Sequence, residues 1–138
     1  MLSLEPLLRA RLETIDGLRG VHGLADLTAE KTKPTPCVYV VYDGGAVLED
    51  KNDGSEARIA TDWMVVLAVK NLTKAADGAA AREDAQALAT AVRIALMGWR
   101  PDQAHQPLRL IKLPSPEFTS GLLWLPLVFQ TKQILKGN

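Results

Sequence analysis

The residues able to do chemistry are few and far apart. The 138-residue chain holds two histidines, His22 and His105, and one cysteine, Cys37. His22 sits in a glycine-rich segment and His105 in a proline-bounded one. Neither has a second His, Cys or carboxylate at the spacing of a helix-borne metal site. Both read as ordinary surface or loop residues. Cys37 opens the β-branched and aromatic stretch Cys37–Tyr42, where a small buried thiol is the expected role; a nucleophile would want a histidine or a helix N-terminus beside it. Carboxylates are scattered: Asp62 and Glu117 near strand beginnings, Glu83 and Asp84 early in a helix, where the dipole accounts for them. Gly44-Gly45 lacks the basic residue and helix start of a phosphate cradle. Asp50-Lys51-Asn52-Asp53-Gly54 looks like the opening of a calcium loop, but Gly54 offers no side-chain oxygen, and Thr61 stands where the closing bidentate Glu belongs. The expectation is a chain without catalytic residues, metal or cofactor.

Composition narrows the class further. Sixteen Lys and Arg balance sixteen Asp and Glu, so the basic excess that a nucleic-acid binder needs to neutralise phosphates is missing. A hydrophobic content of 47% with 23% charge is that of a globular chain, not a disordered one. The length suits one domain, residues 1–138. A lone cysteine excludes an internal disulfide framework. No apolar run reaches the ~20 residues of a membrane span, and the first residues lack the pattern of a signal peptide. Zero net charge leaves little repulsion between copies, which makes self-association cheap.

The elements follow from periodicity. Leu4, Leu8, Leu12 and Ile15, with Leu7 beside them, recur at helical spacing after Ser3, which has N-cap chemistry, and Asp16-Gly17 is a stop. Residues 18–27 are glycine-punctuated and have room for a short edge strand. Ala29–Pro36 reads as a loop and Cys37–Tyr42 as a strand, with a turn at Asp43-Gly44-Gly45 and a weaker strand through Leu48. Glu49–Arg58 has no apolar periodicity and reads as a solvated mobile loop. Ile59–Lys70 is the clearest strand: Ile59, Thr61, Trp63, Val65, Leu67 and Val69 share one face, while Met64, Val66 and Ala68 make the other apolar too. A strand apolar on both faces is covered on both; helices cover one, and a partner subunit could cover the other. Asn71–Asp77 connects to an alanine-rich helix from Gly78 to Met97 with Ala81, Ala85, Leu88, Val92 and Leu96 as its buried stripe. Gly98 ends it and a proline-bounded loop runs from Trp99 to Pro107. Strands follow at Leu108–Leu113 and Leu122–Ile134. In the last, Pro126 cannot donate to a ladder and marks an edge or bulge. The fold class is α+β, a mostly antiparallel mixed sheet with two helices packed on one face.

Three tryptophans stand out in a chain poor in aromatics. Trp63 falls on the core face. Trp99 follows a helix-ending glycine and packs back as an anchor. Trp124 lies opposite the Leu123/Leu125/Leu127 face, exposed on the side without helices, where Trp suits a protein interface.

The pattern as a whole resembles the tail terminator (tail completion) proteins of long-tailed bacteriophages and prophages. The likeness is carried by the leading helix ending at Gly17-Leu18, by Val21 and Gly23-Leu24-Ala25-Asp26-Leu27, and by the Pro36–Val40 and Asp62–Asn71 strands. The Ala-rich helix leading into Leu96-Met97-Gly98-Trp99-Arg100-Pro101 and the closing Leu125-Pro126-Leu127-Val128-Phe129 complete it. The resemblance implies a non-enzymatic α+β subunit that forms a homo-oligomeric, hexameric ring at the head-proximal end of the tail. Its partners would be sister copies, the tail tube protein and the head-tail connector protein, met during assembly in the host bacterial cytoplasm, with no membrane and no nucleic-acid specificity. Such a ring would stop tube polymerisation and offer the head-joining surface. Composition and exposure nominate its contact residues: Trp124 and Phe118, the charged run Glu49, Asp50, Asp53, Glu56 and Arg58, and Trp99 with Arg100 in the second loop. Two other readings stay open. One is a small-molecule-binding or enzymatic domain with an apolar cavity between the second helix and the sheet, ringed by polar groups including His22 or His105. The other is a neighbouring head-tail connector or tube-associated component.

Overall fold

A computed structural model describes residues 2–27, 33–70, 78–119 and 121–137, with the side chains of 78–81 left aside. The first half of the Ala29–Pro36 loop, the Asn71–Asp77 connection and the Ala81 side chain therefore lie outside the described residues. The described elements are α1 (Leu4–Leu12), β1 (Val21–Gly23), α2 (Leu24–Leu27), β2 (Cys37–Asp50), β3 (Glu56–Lys70), α3 (Gly78–Leu96), β4 (Arg109–Lys112), β5 (Glu117–Thr119) and β6 (Leu122–Lys136). They make an α+β fold built on a six-stranded mixed sheet in the order β1-β2-β3-β6-β4, with β5 also paired to β6.

Strict alternation along β3 decides which side chains face the helices. Trp63, Val65, Leu67 and Val69 join one core with Val38 and Val40 of β2, Leu127 and Phe129 of β6, and the stripes of the two long helices. Those stripes are Leu4, Leu8 and Leu12 of α1, each fully buried, and Ala85, Val92 and Leu96 of α3. Each buried leucine of α1 contributes about 2 kcal/mol of transfer free energy, so the helix is held by its apolar face. Its ends contribute less: Ser3 makes no side-chain cap hydrogen bond and the helix closes at Leu12, where the sequence suggests a Ser3 cap and a run on to Ile15. Ile15 still packs on the core from the turn that follows. Gly98, at φ +75°, stops α3 as its type predicts.

The registers set which strands are neighbours. β1 runs parallel to β2 at Val38–Val40 and is the edge strand for which residues 18–27 have room. The short α2 that follows is the third helix, and its Leu27 packs on the opposite face of the sheet from α1 and α3. β3 pairs antiparallel with β6 over its whole length and with β2 from Ala57 to Ala68. Pro126 sits opposite Val66. On the far side of β6, β4 reaches Val128–Gln130 and β5 reaches Leu122–Trp124. The proline thus falls in the gap between them, where a missing amide hydrogen costs no ladder bond.

Two expectations are corrected. Asp43-Gly44-Gly45 is not a turn: β2 continues through it with a register shift between Tyr42 and Gly45, Gly44 taking φ +93° in the manner of a glycine bulge. A Cβ on Gly45 would stand 2.7 Å from the Ala60 carbonyl oxygen, so the close approach of the strands requires glycine. Glu49–Arg58 is likewise not a mobile loop. Glu49 pairs with Arg58 and Asp50 with Ala57, and Glu56 and Ala57 pair onward to Lys136 and Leu135. The segment is a hairpin arm with its turn at 51–55, built from ladder hydrogen bonds and cross-strand charge rather than from burial, which is why hydrophobic periodicity does not register it.

Candidate assembly surface

The face of the sheet away from the long helices carries a second apolar layer. Cys37, Tyr39, Val41, Val66 and Ala68 are buried there, with Leu27, Met64 and Trp124 half-covering them. Trp124 stacks at a tilt on Tyr39, ring centres 5.8 Å apart, and His22 meets the same ring at 5.4 Å. The Trp124 indole N–H points to the Thr119 carbonyl at 3.4 Å. Trp124 is thus where its spacing puts it, although Tyr39 and the β5 hairpin cover more of it than a free-standing side chain. Burial, and next the Cys37 beside it, push the Tyr39 hydroxyl up to about 12. Burial also raises the Cys37 thiol, which keeps it protonated and a structural group rather than a nucleophile.

An open groove of about 460 Å3 runs across this layer between Leu27, Met64, Val66, Trp124 and Pro126 and the Pro114–Thr119 segment. Phe118 stays out of it. Paired with Leu123, it projects to the other face of β5 and is 65% exposed.

The charged arm forms a second surface. Arg58 donates to Glu49 at 3.1 Å, Lys51 meets Glu56 at 3.3 Å, and Lys136 reaches the same Glu56 at 4.0 Å. At the tip the Asp53 carboxylate accepts from the Ser55 hydroxyl at 2.7 Å and the Ser55 amide at 2.9 Å, which lowers its pKa. Facing the arm is the segment after α3. Trp99 packs on the core with the Arg11 guanidinium 5.2 Å from its ring centre, an anchor as expected.

The rest of that loop is braced by Arg100. Its guanidinium donates to the carbonyls of Asp102 at 3.1 Å, Gln103 at 2.9 Å and His105 at 3.0 Å. The Asp102 carboxylate then accepts from the amides of Ala104 and His105 and lies 2.7 Å from His105 Nδ1. The contact to His105, the largest cause, lowers the Asp102 pKa. His105 is 3% exposed, not a surface residue: its backbone bridges to Gln133, and the ring is folded under the loop that Arg100 ties.

Between arm and loop lies a groove of about 670 Å3 to which Glu49, Asp50, Glu56, Arg58 and Arg100 all contribute. The structure therefore gathers five of the nominated residues in one place. It leaves Asp53 at the tip, Trp99 in the core, and Trp124 and Phe118 on the β5–β6 hairpin. Sequence reasoning misses the Asp102–His105 pair; its only signal is the i, i+3 spacing of an Asp-led turn.

Chemically these surfaces offer contact. The Asp102–His105 pair has the form of a base and its orienting carboxylate; of the two, His105 lines the groove, beside charged, amide and aliphatic side chains. Neither groove is the cavity between helix and sheet that a buried small-molecule site would use. Among the described residues, no three His, Cys, Asp or Glu side chains are placed to share a metal ion. None of the described helices is long and apolar enough to cross a membrane.

Against this geometry, the family model described as phage tail terminator protein matches residues 1–138, the whole chain. The chain belongs to the phage tail terminator family. A search of curated proteins returned no match. Membership makes it a structural component of the virion tail that associates with other tail or head components, a role that fits surfaces built for contact.

Proposed function

We propose that the chain forms a closed homo-oligomeric ring, a hexamer, that caps the head-proximal end of the tail tube. The ring stops further addition of tube subunits and presents the surface that the head connector joins. The full-length family match carries this reading. The fold supports it physically: a cap must be a rigid body with contact surface on more than one side, and here both faces of the sheet are apolar while the arm and the braced loop present charge beside them. Head-to-tail contacts between identical subunits close into rings when their rotation divides the circle, and zero net charge raises no barrier to gathering copies. As a single unit spanning residues 1–138, the subunit would assemble in the host bacterial cytoplasm and remain at the tail-head junction. Native mass spectrometry of the purified protein, free and bound to tubes, tests the ring. A dominant six-chain species on tubes is expected; a chain that stays monomeric in both states would refute the reading.

A further inference from the structure

The sheet ends in two open edges of opposite charge. β1 flanks β2 only at Val38–Val40, so from Val41 to Asp50 the outer side of β2 has no strand beside it among the described residues. At ~3.3 Å per residue that is roughly 30 Å of free edge. At the other end β4 pairs with β6 on its inner side alone. Outward, the chain there is tied among the described residues at Leu108, which exchanges backbone hydrogen bonds with Gly98 and Trp99.

Open edges invite pairing, and proteins that do not use them cover or blunt them. The β2 edge carries exposed Asp43, Glu49 and Asp50 beside exposed Val47 and Leu48; of the three acids only Glu49 has an ion pair among the described residues. The β4 edge carries exposed Arg109 and Lys112, neither with a carboxylate partner among the described residues, beside exposed Ile111. Direction agrees with charge. The β2/β3, β3/β6 and β6/β4 pairings are each antiparallel, so β4 runs opposite to β2. A second copy set beside the first with its strands in the same sense therefore brings β4 antiparallel to β2.

We propose that β4 of one copy adds to the open edge of β2 of the next through main-chain hydrogen bonds, with Arg109 set against Asp50 and Lys112 against Val47, diagonal to Glu49. Strand addition of this kind takes its affinity from the ladder and its partner choice from the side chains. Acid against acid disfavours two-fold pairing of β2 with β2, and base against base that of β4 with β4. Only the head-to-tail contact remains, the type that closes rings. This rests on the ring reading above and adds which edges join.

The test is a charge exchange at exposed positions. Glu49→Lys with Asp50→Lys makes the joining stretch of both edges basic; Arg109→Glu with Lys112→Glu makes both acidic. Sedimentation velocity of each variant alone should show association weakened by about tenfold or more, since the cross-strand charge pairs turn from attraction to repulsion. Mixed one to one, the two variants should regain the wild-type oligomer, a recovery that misfolded chains could not give. Either variant associating alone as the wild type does, or a mixture no larger than its parts, would overturn the edge pairing. If that happens while the wild type still forms rings on tubes, the pairing alone is wrong. A wild type that is monomeric free and on tubes removes both.

Discussion

Replacing Arg100 by alanine tests whether the loop after α3 is braced or mobile. The side chain donates to three backbone carbonyls, those of Asp102, Gln103 and His105, at 2.9–3.1 Å. A buried hydrogen bond from a charged donor is worth ~1.5–3 kcal/mol, but exposure to water reduces it sharply. Only the bond to His105 is partly buried, so it counts for about 1 kcal/mol and the other two for a few tenths each, giving about 1–2 kcal/mol in all. For 138 residues, an unfolding entropy of about 2.1 cal/mol/K per residue converts this to a drop in Tm of about 3–7 °C. The change should also be local. The amides of Ala104 and His105, bonded to Asp102, and of Gln106, bonded to the Lys132 carbonyl, should exchange with solvent faster while those of β3 keep their protection. Arg100→Lys should recover only a minor part, because an ammonium cannot span three carbonyls as a guanidinium fork does. Thermal melting with hydrogen-exchange mass spectrometry reads both effects. A Tm shift below about 1 °C with unchanged exchange at 104–106 would refute the brace.

Other consequences are as direct. Trp124→Ala should cost about 2 kcal/mol in urea denaturation, below the ~3–5 of a fully buried aromatic, because the indole half-covers Tyr39; an unchanged midpoint would mean that it covers nothing. Gly45→Ala drives a Cβ to 2.7 Å from the Ala60 carbonyl and should destabilise by about 1–3 kcal/mol with the same urea m-value; wild-type stability would contradict the close approach in the bulge. The bond to His105 holds the Asp102 pKa below the ordinary carboxylate value, so its stabilising contribution is present above the unfolded value and is lost as pH falls through the folded one. The Asp102→Asn variant should accordingly lose less stability than the wild type between neutral and strongly acidic pH; parallel acid titrations of the two would argue against a bonded carboxylate.

The elements that bury apolar side chains are legible in the sequence, and those that do not are not. Alternation along Ile59–Lys70 gives both faces of β3, the alanine stripe gives α3, and Pro126 marks the gap between β4 and β5, because in each case one physical rule acts alone. The outer halves of β2 and β3 escape notice because their pairing is stabilised by the ladder and by the Arg58–Glu49 and Lys51–Glu56 pairs, which leave no hydrophobic period. Glycines at 44 and 45 read as a turn because a bulge and a turn ask for the same residue. The burial of His105 depends on Arg100 gathering carbonyls, a contact that local sequence does not specify. For the contact surface, the charged run and Arg100 emerge as neighbours without any spacing rule to announce it. Trp124 is found by strand alternation, while the unpaired edges of β2 and β4 become visible only once the strand order is known.

Whether this subunit ends a growing tail tube by capping it is read from electron microscopy of tail tubes polymerised with and without the purified protein. Capping predicts a ring-shaped density at one end only and tubes that stop lengthening once it is present. Tubes that keep growing at the same rate, or protein scattered along their sides with bare ends, would contradict it.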